Sequence, residues 1–151
     1  MSWISSQLIV GDETFCYYGS FRSGHKVNPA TERQIGMARM RRDGYVSRDA
    51  FGPDPGWLMT PLIKAGRFAA LTVNAEASRG DVRVQVRDHR LQVVPGFSFA
   101  ECTPLRGDGL QQQVRWSGVA DPQRLVGVPC YLEFRVADAR LYGFEFSKTA
   151  S

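Results

Sequence analysis

The chain has 151 residues, 43% of them hydrophobic and 23% charged, with a formal net charge of +4. That is enough for one domain with a buried core and too little charge bias for intrinsic disorder. No stretch approaches the ~20 apolar residues of a membrane span. The start, MSWISSQLIVGDE, lacks the basic and long apolar regions of a signal peptide, so the chain alone reads as cytoplasmic unless a longer parent carries a leader.

Taken in order, QLIV, TFCYYGS and QIGMARM read as three short strands, the last two separated by the polar loop RSGHKVNPATER, which holds His25. Three strands of this kind have nothing to pack on within their own segment. The Pro/Gly-rich connector RDAFGPDPGW follows, and the composition shift divides the chain into a partial unit, residues 1–42, and a main domain, residues 43–151. GWLMTPLI opens the main domain, with Trp57 beside Pro55 and Gly56 at the strand entry, where its ring is expected to stay partly exposed.

FAALTVNAEA and DVRVQVRD come next, the second with Val82, Val84 and Val86 alternating with Arg83, Gln85 and Arg87, the period of a half-buried strand. Between them lies Arg79-Gly80-Asp81. The flanks predict a hairpin connection there, with Gly80 at positive φ and Asp81 bonding its own backbone. A second Arg-Gly-Asp, Arg106 to Asp108, precedes the strand-like run QQQVRW. Both triplets are therefore read as turn chemistry and not as adhesion motifs, because a tripeptide match without context is weak.

DPQRLVG supports one or two helical turns, and CYLEFRV and LYGFEF are strands, in the second of which Tyr142, Phe144 and Phe146 share a face and are expected in the core. His89 is expected in a turn. The many short strands punctuated by Gly, Pro and Asp define an all-β, antiparallel fold.

Cys16, Cys102 and Cys130 show no CxxC or CxxH spacing, and Cys16 and Cys130, inside apolar strand runs, are read as buried thiols; no metal site and no cofactor are assigned. The carboxylates Asp43 with Asp49 and Glu101 with Asp108 lie on turns, where such groups cap backbone amides, so no catalytic residue is assigned. Arg39, Arg41, Arg42 and Tyr45 form only a thin basic stripe. Neither a nucleic-acid nor a membrane partner is expected from it.

The ordered segments RRDGYVS, GWLMTPLI, LTVNAEASRGDVRVQVRD, VPGFSFAECTPLRGD, VRW, LVGVPCYLEFRV and ADARLYGFEF resemble the C-terminal region of bacterial proteins related to glycoside hydrolase families 32 and 43. TFCYYGSFRSGHKV followed by IGMARMRRDGY resembles the end of a last propeller blade. The resemblance implies a concanavalin-like two-sheet β-sandwich preceded by strands of a partial blade. Catalysis in such glycosidases rests on carboxylates of earlier blades, and none of those blades lies in this sequence.

Three roles follow from the resemblance. One is a non-catalytic structural or accessory module, the second a free-standing carbohydrate-binding, lectin-like module, and the third a glycosidase fragment whose catalytic blades are encoded elsewhere. The candidate sugar contacts are Trp57 and His25, the latter in a loop comparable to one that carries an axis-facing histidine in related propellers. The partners implied are a carbohydrate and either a second copy of the chain or a propeller-bearing protein, to cover the unpaired blade.

Overall fold

A computed structural model of the chain describes residues 2–21, 33–118 and 121–148. His25 and its loop lie outside the described residues. Ten strands and one short 3-10 turn make up the regular structure among these residues, so the fold is all-β. No helix among them is long and apolar enough to cross a membrane. By internal contacts the chain divides between Val46 and Ser47 into two units.

The first unit is a three-stranded antiparallel sheet in the order β1 (Ser2–Val10), β2 (Glu13–Phe21), β3 (Arg33–Arg41). Val10 pairs with Glu13 across a two-residue turn, and Gly11 takes φ 59 at its first position, where a twisted hairpin needs glycine. Tyr18 faces Gly36 in the register, and a Cβ on Gly36 would collide with the Tyr18 ring. The aromatic side chain thus occupies the space the glycine leaves open. Thr14 and Cys16 are buried, whereas Ile4, Leu8, Ile9, Ile35 and Met37 are exposed.

The second unit is a sheet built on two long stretches of chain that run antiparallel to one another. β7 (Ala70–Asp88) is one unbroken strand of 19 residues. Its antiparallel partner is supplied by β9 (Pro129–Ala137) and β10 (Ala139–Ser147), which follow one another with only Asp138 between them. β9 pairs with Asp81–Asp88, and β10 continues in the same direction along Ala70–Glu76. Asp138, at φ 41, marks the kink.

This geometry corrects the reading of the first Arg-Gly-Asp as a hairpin. Ser78 to Asp81 lie inside β7, at a bend where four residues oppose two on the partner, and Gly80 is not in the left-handed region. Gly80 serves a different purpose. A Cβ there would collide with the carbonyl oxygen of Ala137, so glycine permits the close approach of two backbones at the bend.

β8 (Leu105–Gln113) runs along the other edge of β7, pairing Gln113 with Thr72 and Leu105 with Val82. The second Arg-Gly-Asp therefore lies within a strand, one with a local irregularity at Gly107, φ 80. The strand also begins and ends earlier than QQQVRW suggests. Val114 still donates to the Leu71 carbonyl at 2.8 Å, but Trp116 has left the ladder.

Where β8 ends, other groups take over the β7 edge. Val84 N–H donates to Cys102 Sγ at 3.2 Å, Trp116 Nε1 donates to the Val84 carbonyl at 2.9 Å, and Val86 exchanges bonds with Phe97 and Val94. Every main-chain group so satisfied would otherwise be a buried, unpaired polar atom. The loop after β7 starts on a turn in which the Asp88 carboxylate accepts from Arg90 N and Gln92 N, with His89 between them.

GWLMTPLI is two strands, β5 (Gly56–Met59) and β6 (Ile63–Lys64), both against β9. Pro61 has no N–H for a ladder. Thr60 bridges the break, its N–H donating to the Leu132 carbonyl and its Oγ1 accepting from Leu132 N. β4 (Arg48–Ala50) pairs with β10 at the far edge.

The core is the period-2 pattern made solid. Val82, Val84 and Val86 from β7 and Leu132 and Phe134 from β9 are fully buried, with Phe97 packed edge-to-face on Trp116 at 5.0 Å. In β10 the expected aromatic core face is only partly realised. A register shift between Leu141 and Gly143 rotates the strand, leaving Phe144 38% exposed while it leans on Phe134 and Phe146.

Candidate functional site

The outward-facing residues of β7 and β9 alternate with the core valines, which places Asp81 and Arg83 beside Arg135 and Glu133 on one face. Asp81 is the centre of a charge cluster. Its Oδ1 accepts from Arg135 Nη1 at 3.2 Å and from Arg83 Nε at 3.4 Å, and its Oδ2 lies 3.9 Å from Arg106 Nη2. The Asp81 side chain is 15% exposed, the Arg83 and Arg135 side chains 30% each.

Arg83 also donates through Nη1 to the Phe99 carbonyl at 3.3 Å, and Phe99 N donates to Gln85 Oε1. These bonds draw the loop after β7 over the strand face. The result is a recess of about 290 Å³ lined by Arg83, Arg135, Phe99 and Ala100.

Trp57 stands against two of its lining residues. It is the register partner of Arg135, its ring meets Phe99 edge-on at 5.3 Å, and it is 59% exposed. A residue that would bury a large apolar area is thus held open to solvent with its orientation braced. The sequence singles out Trp57 but not the arginines. Their alternation with valines marked them only as an outer strand face, and nothing local tells that three guanidiniums from β7, β8 and β9 converge on one carboxylate.

The next pair along the face is neutral. Glu133 Oε2 accepts from Gln85 Nε2 and from Arg87 Nε, and Arg87 also reaches the Leu91 carbonyl.

Of the remaining acids named by the sequence, Asp49 and Glu101 are engaged elsewhere. Asp49 pairs with Arg140 at 3.6 Å, and Asp43 sits at φ 59 in the first unit. Glu101 accepts from Ser98 Oγ at 2.7 Å and from Ser98 N at 3.0 Å, which holds its carboxyl below the ordinary value. In the basic stripe Arg39 pairs with Glu13 at 3.3 Å, and Tyr45 donates to Gln7 Oε1.

All three cysteines are buried and unpaired with one another. Burial pushes the Cys102 and Cys130 thiols up, so they stay protonated and poorly nucleophilic.

A larger recess, about 700 Å³, is lined by Arg67, Phe68, Gln123 and Lys148 among others. Its oriented amide is already committed, since Gln123 Nε2 donates to the Phe68 carbonyl at 2.6 Å.

No protein-family model matches the chain, and no curated protein or solved structure matches it either. The site is therefore argued from this chain's own residues.

Proposed function

We propose that the chain is a non-catalytic module of a protein related to glycoside hydrolase families 32 and 43, a concanavalin-like β-sandwich with an accessory role in carbohydrate processing exercised by binding a sugar at Trp57. The observation that supports this reading is the braced, 59% exposed Trp57 ring beside two oriented guanidiniums. A rigid aromatic face with a few placed polar groups is the recurring design of small-ligand sites. Fixing the ring in advance lowers the ordering cost of binding.

The same geometry disfavours hydrolysis at this place. Paired-carboxylate catalysis needs one acid and one free base or nucleophile across the bond, whereas Asp81 and Glu133 are each engaged by guanidiniums. The module acts alone or beside catalytic blades on another chain, and its first unit, a partial blade, is covered by a second copy or by a propeller-bearing protein.

Binding of the purified chain to an oligosaccharide panel tests the reading. Retention of at least one glycan, weakened about tenfold or more in Trp57→Ala, is expected, a loss worth about 1.4 kcal/mol. Turnover of fructosides, arabinosides or xylosides that one of the chain's own carboxylates controls, or binding indifferent to Trp57, overturns it.

A further inference from the structure

The recess beside Trp57 carries an unbalanced charge. Arg83 and Arg135, which line it with Phe99, and Arg106, which does not, bring three positive charges to Asp81, so the cluster beside the recess has a formal excess of two positive charges. Among the described residues Arg135 donates only through Nη1, to Asp81, and Arg83 only through Nε and Nη1. Several guanidinium N–H groups therefore have no protein acceptor. A planar guanidinium fork matches a carboxylate in a bidentate way, and partial burial strengthens the attraction.

The size sets a further limit. About 290 Å³ is at the small end of ligand pockets and suits one ring rather than a chain lying in the groove. The apolar edge is provided by Phe99, on which Trp57 packs, and the anion-binding floor by Arg83 and Arg135.

We infer that this recess is a subsite for the carboxylate of an acidic sugar, a uronate whose carboxylate rests on Arg135 and Arg83 while its ring lies toward Phe99 and Trp57. The inference rests on the sugar-binding reading and narrows it to a substrate class. Asp81 has a second part in it. As an internal carboxylate already on the guanidiniums, it orients them and competes with the ligand, which sets an upper limit on affinity.

Calorimetric titration of the full chain with oligogalacturonate, with its fully methyl-esterified form and with inorganic sulfate tests this. The acid is expected to bind at least about tenfold tighter than the ester, and increasingly so as salt is lowered. Arg135→Gln should collapse that ratio, Arg135→Lys should leave an intermediate one because charge remains and the fork is lost, and Asp81→Asn should tighten acid binding several-fold. Melting curves of each variant establish that it is folded.

Equal affinity for acid and ester overturns the uronate subsite while leaving sugar binding standing. Sulfate binding as tight as that of the acid also overturns it, reducing the recess to a general anion site. Failure of both acid and ester, together with every neutral glycan, overturns the sugar reading as well.

Discussion

Arg106 Nη2 lies 3.9 Å from Asp81 Oδ2, so the arginine of one Arg-Gly-Asp triplet touches the aspartate of the other. The two triplets meet because Ala77 pairs with Gly107 and Glu76 with Asp108 at the bend of β7. Arg79 is drawn off in another direction, pairing with Asp138 at 3.0 Å and lying over the Phe51 ring at 5.3 Å. In the first triplet the Asp81 side chain is only 15% exposed, so a receptor that reads a displayed Arg-Gly-Asp does not find that pair of charges presented. Asp81→Asn should destabilise the fold by about 2 kcal/mol, since it leaves guanidiniums facing one another without the negative charge they share. Denaturant melts in low and high salt check this, with the loss smaller at high salt. Arg106→Gln, on a side chain 68% exposed, should cost less than about 1 kcal/mol.

The two triplet glycines should fail differently. Gly80→Ala forces a Cβ onto the Ala137 carbonyl and is expected to cost about 3 kcal/mol. Gly107 has open space for a Cβ but sits at φ 80, so Gly107→Ala should cost about 1 kcal/mol from backbone strain alone. Asparagine, which tolerates positive φ, should recover part of that loss at 107 and none at 80. Equal melting temperatures for the two alanine variants would contradict the assignment.

Acid should loosen the loop that closes the recess. The Glu101 carboxyl is lowered from its ordinary value of 4.5, chiefly by the Ser98 hydroxyl and then by the Ser98 amide. A depressed folded value means the contribution is complete above about 4.5 and lost as pH falls through the lower folded value. Asp88 behaves alike from 3.8, mainly through the Gln92 amide. The melting-temperature gap between the wild type and Glu101→Gln should therefore narrow on going from neutral pH to about pH 3. A gap constant with pH would show that the Ser98 contacts carry no linkage.

Self-association is expected through β1, by a second copy. The strand SWISSQLIV carries no charge, whereas β3 at the opposite edge carries Arg33, Arg39 and Arg41. Two β1 edges can therefore pair antiparallel without repulsion, and two β3 edges cannot. The register shift between Ile4 and Ser6 limits the pairing to Ser6–Val10, where Leu8 and Ile9 are 55% and 65% exposed. Sedimentation should show a concentration-dependent dimer that Ile9→Lys returns to monomer. A monomer at all concentrations removes the proposal.

The strands themselves were legible because their signal is local. Valines at 82, 84 and 86 alternating with polar residues can bury one face only as a strand, and the all-β character follows from repeating that pattern along the chain. The partial exposure of Trp57 was legible for the same reason, since it stands beside Pro55 and Gly56 at a strand entry. What lay beyond the sequence is whatever depends on a partner far along the chain. Ser-Arg-Gly-Asp spells a turn locally, yet β7 continues through it with only a bend because β9 and β10, far along the chain, line up end to end as its partner. Gly80 is needed for its missing Cβ against Ala137, a contact no window around residue 80 contains. The candidate site follows the same logic: each arginine looks like one more solvated residue on its own strand. Only the register of β7 against β8 and β9 brings Arg83, Arg106 and Arg135 to the single carboxylate of Asp81.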